Sequence, residues 1–294
     1  MTEEKYFYGG MRKFENHSML IRLIYANISV YFFIKLVNVW VVLSGSTIPG
    51  YDYILPYVGI PADFHIFLVR PWTIVTYMFT HFGLLHLLFN MLLLYWFGRL
   101  FSENFTEKQL LGVYVLSGIF GAVLYMAAYN IFPIFDSGYS WAIGASASVM
   151  GVVFALCTYM PNRSIYIFLF GRFPLKYIAI VTVIIDILSI SGPNAGGHIA
   201  HMGGAVFGCI YVLGIKKSLD ITEWPVKILY GIYNLFSFRK KGHIKSDSPF
   251  RTPAGFAEKR EKEEALNRVL DKIAQTGYDS LTKKEKEILF KSGH

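Results

Sequence analysis

Charged residues are scarce in this sequence of 294 residues. Asp, Glu, Lys and Arg together make up 16% of the chain, whereas soluble domains average about 25%. Hydrophobic residues reach 54%, aromatic residues reach 17%, and the mean hydropathy is +0.41. This composition is typical of a membrane protein and argues against an ordinary soluble domain.

Cysteine is nearly absent, and the two thiols, Cys157 and Cys209, both lie within apolar runs. Two buried thiols make neither a disulfide framework nor a zinc site, so we interpret them as small apolar side chains. The first residues also lack the charged region, short apolar core and small-residue cleavage site that mark a cleavable signal peptide. We therefore expect no such peptide.

Six apolar segments dominate the chain. A membrane-spanning helix needs roughly 20 mostly apolar residues, and tilt or local thinning of the bilayer accommodates shorter ones. The six segments are 20–43, 84–101, 108–130, 144–160, 174–190 and 199–215. The sequence therefore predicts an all-α polytopic membrane protein with a six-helix bundle.

Positive charge alternates between successive loops. Loops 131–143 and 189–198 have no Lys or Arg, and loop 44–70 has only Arg70. The other ends of the segments carry Lys5, Arg12, Lys13, Arg22, Arg99, Lys108, Arg163, Arg172, Lys176, Lys216 and Lys217. The positive-inside rule then predicts cytoplasmic termini in a plasma or inner membrane. It also accounts for the net charge of +8 without a nucleic-acid partner.

The membrane domain is predicted to be one of five parts of the chain. Its first loop, 44–70, is rich in aromatic residues and is expected to lie partly in the outer interface. The small C-terminal part has a capping-box pattern at 282–285. The five parts are a cytoplasmic tail at 1–19, the membrane domain at 20–218, an interfacial amphipathic helix with a basic stretch at 219–242, a linker at 243–260 and an αα-hairpin at 261–294.

Polar residues stand near the starts of the second, fourth and sixth segments, which all run inward from the outer side. They are His86 with Asn90, then Ser146, then His201. We expect them to lie at a similar shallow depth. The bilayer interior tolerates such groups where they bond each other or line a water-filled cavity.

Ser146 is the first candidate for chemistry. Its neighbours Gly144, Ala145 and Ala147 are small, which lets another helix or a substrate backbone approach closely. Taken alone, Ser146 could equally be a packing serine that bonds back to its own helix. Ser148 is a rival nucleophile, but it lies about 200° further around the helix, so the two cannot face one partner.

His201 begins a run that continues with Gly204 and Gly208. Offsets of three and seven put both glycines on the face of the histidine. A glycine face brings another helix near, and we expect that helix to carry Ser146, whose proton the imidazole could accept. His198 lacks this register and is interpreted as a solvated or structural histidine.

His86 and Asn90 are four residues apart and share one helix face. They could donate to a developing oxyanion, or they could form an interhelical polar clamp, typically worth under about 1–2 kcal/mol. His81 lies off that face and could orient a loop or water. No acidic residue is expected beside His201, so the pattern predicts a Ser–His dyad and not a triad.

Two charged residues within the spans have no assigned role. Asp186 lies in the fifth segment and is interpreted as a hydrogen-bonded or protonated interior carboxyl. Lys35 lies in the first segment and is expected to pair with another group or to snorkel to the interface.

Three motifs together resemble the signature of the rhomboid intramembrane serine proteases. They are His81-x-x-x-x-His86-Leu87-x-x-Asn90-Met91, Gly144-Ala145-Ser146 and His201-x-Gly203-Gly204-x-x-x-Gly208, within residues 65–215. The resemblance implies an endopeptidase that cleaves single-span membrane proteins in or near the span. It implies substrate entry from the bilayer past the fifth helix, and no metal or cofactor.

The same resemblance implies a role for each matched residue. Ser146 would be the nucleophile and His201 its general base. His86, Asn90 and the backbone N–H of Ser146 would form the oxyanion hole. The supporting positions would be His81, Gly144, Met150, Gly204 and Gly208.

Three residues depart from the family pattern. Ala147 replaces the usual glycine after the serine, and its methyl is expected to crowd the oxyanion pocket modestly. Met150 replaces an aromatic residue that packs on the histidine, which a thioether can still do. Thr73 replaces the arginine of a Trp-Arg pair that begins here with Trp72, which weakens the expectation of an anchored first loop.

Two other classes of protein remain as alternatives. A non-catalytic rhomboid-like protein would bind transmembrane clients, but such relatives typically lose the serine or the histidine, and Ser146 and His201 are both present. A transporter or channel would have broken helices at the midplane or repeated halves, and the sequence has neither.

Overall fold

The computed structural model describes residues 18–48, 50–135, 140–167 and 171–236, and shorter stretches between 265 and 289. The chain forms two compact units, Met1–Gly214 with Asp220–Lys240, and Ile215–Leu219 with Lys241–His294. The predicted N-terminal tail up to residue 17, the basic stretch at 237–242 and the linker at 243–260 lie outside the described residues.

Helices make up most of the first unit. In chain order they are α1 (Met19–Leu43), α2 (Gly50–Val58), α3 (Phe64–Val69), α4 (Thr73–Thr76), α5 (Leu84–Asn104), α6 (Glu107–Ile131), α7 (Ser146–Tyr159), α8 (Leu175–Ser189), α9 (Ala195–Lys216) and α10 (Glu223–Phe236). A 3-10 turn, Tyr77–Phe79, follows α4. The strands are β1 (Ile60–Pro61), β2 (Trp141–Ala142), β3 (Ser164–Ile167) and β4 (Gly171–Pro174).

All six predicted apolar segments are helical, as α1, α5, α6, α7, α8 and α9. Within the described part of the chain, α1, α5, α6 and α9 are long and apolar enough to cross a membrane. Helices α7 and α8 have 14 and 15 residues, which is roughly 21–23 Å and shorter than the hydrocarbon core of about 30 Å. The predicted all-α membrane bundle is confirmed, and α7 and α8 are shorter than α1, α5, α6 and α9.

Helix α1 joins the bundle through both apolar and polar contacts. Its exposed side chains include Phe33 and Trp40, which suits a helix that meets lipid on one side. Its buried Asn27 donates a hydrogen bond to the hydroxyl of Tyr114 on α6 at 3.0 Å. Tyr114 in turn donates to the carbonyl of Met78 at 3.0 Å, so this link reaches the segment before α5.

The first loop, for which the sequence predicted only a position partly in the outer interface, is folded into the short helices α2, α3 and α4. Helix α2 includes Pro56, and its last carbonyls are capped by side chains from the α3–α4 region. The bonds are Arg70 Nη1 to the Pro56 carbonyl at 2.8 Å, Trp72 Nε1 to the Tyr57 carbonyl at 2.9 Å, and Thr76 Oγ1 to the Val58 carbonyl at 2.9 Å. These bonds satisfy carbonyls that a helix end leaves without partners.

Two small antiparallel sheets tie loops together. Strand β1 pairs with β2, with Ile60 opposite Ala142 and Pro61 opposite Trp141. This pairing fixes the first loop to the chain just ahead of α7. Strands β3 and β4 form a hairpin between α7 and α8.

Helix α10 lies within the predicted amphipathic segment. Glu223 and Lys227 form an i, i+4 ion pair at 2.9 Å. Val226 is buried, whereas Trp224 and Ile228 are exposed. A position in the plane of the cytoplasmic leaflet stays a prediction.

The second unit contains the predicted capping box. The N–H of Thr282 donates to Oε2 of Glu285 at 2.7 Å, and the N–H of Glu285 donates to Oγ1 of Thr282 at 3.3 Å. Lys272 also pairs with Glu285 at 2.9 Å, and this bond lowers the pKa of Glu285 to about 2. Helical residues occur before and after this bridge, while the boundaries of the hairpin stay a prediction.

Candidate active site

Ser146 is the first residue of α7, and its backbone N–H lies at the open end of that helix. The first N–H that bonds back into α7 is that of Val149, which donates to the Ala145 carbonyl at 2.9 Å. The preceding N–H groups, including that of Ser146, therefore point out of the helix. They carry the positive end of the helix dipole, which suits a developing negative charge.

Gly144 makes the turn that leads into Ser146. Its φ is +124°, a conformation that glycine adopts without strain. A Cβ at this position would lie 2.6 Å from Cε1 of His86, so the imidazole packs directly on the glycine. The Gly144 N–H donates to the Tyr77 carbonyl at 2.9 Å. The sequence motif therefore reflects both the backbone conformation and the close approach of His86.

His81 holds the same turn from the other side. Its Nε2 accepts a hydrogen bond from the N–H of Ala145 at 3.2 Å, and its ring packs edge-on against His86 with centroids 5.0 Å apart. Burial, together with the neighbouring His86, lowers the pKa of His81 to about 4. The neutral ring thus accepts through Nε2, which agrees with the predicted role of orienting a loop.

Helices α7 and α9 meet along the predicted glycine face. A Cβ at Gly204 would collide with the carbonyl of Ala147, and one at Gly208 would collide with the carbonyl of Gly151. Both helices therefore approach to backbone contact, as the spacing of the glycines predicts. His201 lies one turn before Gly204, at the level of the first turn of α7.

Helix α6 packs against both α7 and α9 next to this contact. A Cβ at Gly121 would lie 2.7 Å from Cβ of Ala147 and 2.7 Å from the carbonyl oxygen of Ala200. A Cβ at Gly203 would lie 2.8 Å from Cα of Gly121. Three helices therefore meet through small residues around the start of α7.

Ser148 faces away from this region. It is fully buried, its hydroxyl lies 3.8 Å from Sδ of Met78, and a Cβ at Gly118 on α6 would be 2.6 Å from its Oγ. Ser146 is only partly buried. The different surroundings of the two serines favour Ser146 as the accessible hydroxyl.

His86 and Asn90 lie on the first turns of α5. The side-chain amide of Asn90 donates one hydrogen bond to the carbonyl of His86 at 2.8 Å, so part of its donor capacity is used within its own helix. The amide has a second N–H.

Asp186 corrects one prediction. It is buried near the end of α8, and its Oδ1 lies 3.1 Å from Nδ1 of His201 and 2.7 Å from Nδ1 of His198. The expectation that no acidic residue adjoins His201 is therefore wrong. His198 lies in the first turn of α9, and its Nδ1 bonds to this carboxylate. The interpretation of Asp186 as a hydrogen-bonded carboxyl holds.

The boundaries of α9 explain part of this error. The helix begins at Ala195, four residues before the predicted start, so that His201 lies about 9 Å along it. A short connection joins α8 to α9, and the chain turns back on itself there. Asp186 and His198 are each six residues from Gly192, near the middle of that connection, and this symmetry is the sequence signal that points to the contact.

The same three side chains are the one group among the described residues that could hold a metal ion. The ligand atoms of Asp186, His198 and His201 all lie within 4.8 Å of one another. A carboxylate and two imidazoles form a donor set that suits Zn²⁺. The hydrogen bonds already present satisfy the same atoms without an ion.

The departures from the family pattern have identifiable surroundings. The methyl of Ala147 packs towards Gly121 on α6, on the side of α7 that faces that helix. Met150 is partly buried one turn after the serine. Thr73 is buried and donates to the Arg70 carbonyl at 2.7 Å, while Arg70 itself anchors the first loop.

Lys35 is paired, as one of its two interpretations predicted. Its Nζ donates to the hydroxyl of Tyr51 at 2.5 Å and lies 5.3 Å from the ring centroid of Tyr31. The contact joins α1 to α2, which is part of the first loop.

Comparisons with known proteins find relatives that are named as rhomboid proteins. Rhomboid protease AarA of Providencia stuartii is 28% identical over 205 residues, which are 61% of this chain and 71% of that protein. RHOMBOID-like protein 12, mitochondrial, of Arabidopsis thaliana is 27% identical over 160 residues, 51% of this chain and 48% of that protein. The human presenilin-associated rhomboid-like protein, mitochondrial, is 29% identical over 137 residues, 46% and 35% of the two chains.

The mitochondrial relatives are thus matched over about half of their length or less. Two family models match separate parts of the chain. Residues 257–291 match a family of unknown function, DUF6576, and this range covers most of the predicted C-terminal hairpin at 261–294 together with the last four residues of the predicted linker. Residues 69–218 match the rhomboid domain, and this match covers just over half of the chain and includes every candidate site residue. The chain belongs to the rhomboid family.

Proposed function

We propose that this chain is an intramembrane serine endopeptidase that cleaves single-span membrane proteins in or near the span. The observation that carries the proposal is the backbone contact between Gly204 and Ala147. It brings the turn of α9 that bears His201 against the turn of α7 that bears Ser146. A nucleophile and a general base on facing turns are the minimum for acyl transfer.

In the proposed reaction, Oγ of Ser146 attacks the scissile carbonyl while Nε2 of His201 takes the hydroxyl proton. The resulting oxyanion is stabilised by N–H donors from the backbone of Ser146, His86 and Asn90. The imidazolium then protonates the leaving amine, and an acyl-enzyme remains. Water, deprotonated by His201, attacks the ester carbonyl and releases the second product with a proton restored to Ser146.

The surface of α8 supports lateral access of a transmembrane substrate. Most of its apolar side chains are exposed, including Ile184, Ile185 and Leu188, whereas Leu175 and Asp186 are its buried residues. A helix with so little buried surface is easier to displace than α6, most of which is packed. A substrate helix that enters beside α8 would reach the first turns of α7 and α9.

Cleavage of a model single-span protein tests this proposal. The full chain would be purified, reconstituted into liposomes with the substrate, and compared with its Ser146→Ala, His201→Ala and Ser148→Ala variants. We expect the first two to lose cleavage and the Ser148→Ala variant to keep it, since the two serines face different sides of α7. Wild-type rates in both Ser146→Ala and His201→Ala would refute the assignment.

The oxyanion donors need a separate measurement. Removal of one such donor costs about 10²–10³-fold in kcat in a soluble serine protease. We expect His86→Ala and Asn90→Ala to lower kcat within that range while KM changes little. Unchanged kcat in both variants would remove these two residues from the proposed mechanism.

The orientation in the membrane is part of the proposal. The chain is a membrane protein, and its charge asymmetry favours cytoplasmic termini in a plasma or inner membrane. A reporter fused after residue 294 that is active only in the cytoplasm should give a signal. A reporter inserted at Gly45, in the first loop, should be active only on the opposite side. The reverse pattern would overturn this orientation.

A further inference from the structure

Asp186 is a buried carboxylate in an apolar helix. Its side chain is 7% exposed, and its neighbours on α8, Ile185 and Ile187, are exposed apolar residues. An ionisable group in such a place is costly unless hydrogen bonds satisfy it. The two bonds that satisfy Oδ1 of Asp186 come from His198 and His201.

The hairpin of α8 and α9 builds this cluster. His198 and His201 are three residues apart and lie on one face of α9, and their rings pack edge-on with centroids 5.6 Å apart. Asp186 lies one turn from the end of α8, and the connection that follows is short. The carboxylate therefore meets the first two turns of α9.

The bond to His201 determines which of its nitrogens carries the proton. A carboxylate accepts but does not donate, so a neutral imidazole that bonds through Nδ1 must carry its proton there. Nε2, on the other side of the ring, is then the acceptor. A general base for Ser146 needs this tautomer.

We propose that Asp186 is the positioning residue for His201, so that the site works as Ser146, His201 and Asp186 and not as a Ser–His pair. The inference rests on the proposed protease function. Asp186 fixes the ring and tautomer of His201 and stabilises the imidazolium that forms when Ser146 loses its proton. His198 donates the shorter bond, at 2.7 Å, and holds the carboxylate in place.

The kinetic test is Asp186→Asn in the full chain. The amide has the shape of the carboxylate, but it lacks the charge that stabilises the imidazolium and can impose the wrong tautomer. The same swap in a soluble protease triad lowers kcat about 10⁴-fold. We expect a loss of at least about 10²-fold in kcat, with KM within about twofold.

Two matched variants separate this role from a structural one. Thr182→Val changes a polar, partly buried residue one turn earlier on α8 and should keep wild-type kinetics. His198→Gln keeps an N–H donor for Asp186, so its loss of kcat should be smaller than that of Asp186→Asn. Equal losses of kcat in Thr182→Val and Asp186→Asn would overturn the proposal, because any disturbance of α8 would then be enough.

A spectroscopic test on the wild-type protein does not depend on catalysis. The ¹⁵N resonances of His201 in the wild-type protein, assigned by comparison with His201→Gln, report the tautomer. We expect the Nδ1–H form, with a strongly downfield Nδ1 proton. An Nε2–H form would overturn the proposal. If the wild type shows the Nδ1–H form but cleaves no substrate, the protease proposal fails while the Asp186–His201 bond stands.

A chelator separates this arrangement from a metal site built on the same atoms. Wild-type cleavage should be unchanged by EDTA, because no ion is needed for the two hydrogen bonds. Loss of cleavage in EDTA and its return with Zn²⁺ would overturn the proposal in favour of a metal centre.

Discussion

The backbone N–H of Ala145 donates a hydrogen bond to Nε2 of His81 at 3.2 Å, and this bond holds the residue immediately before Ser146. His81 is fully buried and is followed by α5, which carries His86 and Asn90. The bond therefore ties the candidate nucleophile to the helix with the candidate oxyanion donors. His81 shapes the site although its bond is to the backbone of the turn and not to Ser146 itself.

His81 should make the stability of the protein sensitive to acid. Its pKa is lowered to about 4 in the folded protein, against about 6.5 in an unfolded chain. Between these values the unfolded state binds a proton that the folded state excludes, so stability falls as the pH is lowered. The free energy of unfolding should be about 2 kcal/mol lower at pH 5 than at pH 7.5 from this group alone.

Thermal unfolding in detergent at the two pH values measures this effect. His81→Gln removes the titrating ring and keeps an acceptor for the Ala145 N–H. The drop in midpoint between pH 7.5 and pH 5 should be clearly smaller in His81→Gln than in the wild type. Equal drops would show that other groups cause the acid sensitivity.

Gly204 should not tolerate a methyl group. A Cβ there meets the Ala147 carbonyl, and a backbone atom cannot move aside cheaply, so Gly204→Ala should cost about 1–3 kcal/mol or more. It should also separate α9 from α7 and lower cleavage at permissive temperature. Thermal midpoints and cleavage rates of the purified variant check both effects.

Gly231→Ala is the matched control for that substitution. Gly231 lies in α10, where a Cβ would have no atom of the described residues within 4 Å, and alanine favours a helix by about 1 kcal/mol over glycine. This variant should be as stable as the wild type or slightly more so. Destabilisation of similar size at both positions would contradict the packing argument.

Gly144→Ala should disturb the active site in particular. The new Cβ would lie 2.6 Å from Cε1 of His86, in addition to the strain of a φ of +124°. We expect at least about a tenfold loss of kcat, because the oxyanion donor or the turn before Ser146 must move. Gly171→Ala has a positive φ of +71°, but its Cβ would have no atom of the described residues within 4 Å, and it should keep full activity. Comparable losses in both variants would point to backbone strain alone.

Arg70 and Trp72 should control the order of the first loop. Both donate to carbonyls at the end of α2, and Arg70 also lies 4.6 Å from the ring centroid of Tyr57. Arg70→Ala should speed amide hydrogen exchange in 50–58 with little change in α6. His65→Ala, at an exposed residue of α3, is the control. Unaltered exchange in 50–58 would show that the Arg70 bonds do not order this segment.

Much of the fold follows from local features of the sequence. The apolar runs predicted six helices, and the spacing of Gly204 and Gly208 predicted their contact with α7, because a glycine face and a small-residue helix have few other ways to pack. The capping box at Thr282 is also a local feature, because its bonds join residues that are three apart in the sequence.

Contacts that depend on tertiary arrangement were harder to predict. The carboxylate of Asp186 reaches His201 only because α9 begins earlier than its apolar run and turns back sharply on α8. The short helices of the first loop were not predicted, because α2 contains Pro56 and its last carbonyls are capped by side chains that lie 14 to 18 residues further along the chain. In both places the residue that makes the stabilising hydrogen bond is 14 or 15 residues away in the sequence, beyond the reach of a helical or turn pattern.

Covalent labelling of the nucleophile tests the central claim most directly. A fluorophosphonate reacts with an activated serine hydroxyl and leaves a stable adduct that peptide mass spectrometry can locate. We predict one modified serine, Ser146, with labelling lost in His201→Ala and retained in Ser148→Ala. An adduct on Ser148, or labelling of Ser146 that is unaffected by loss of His201, would contradict the account.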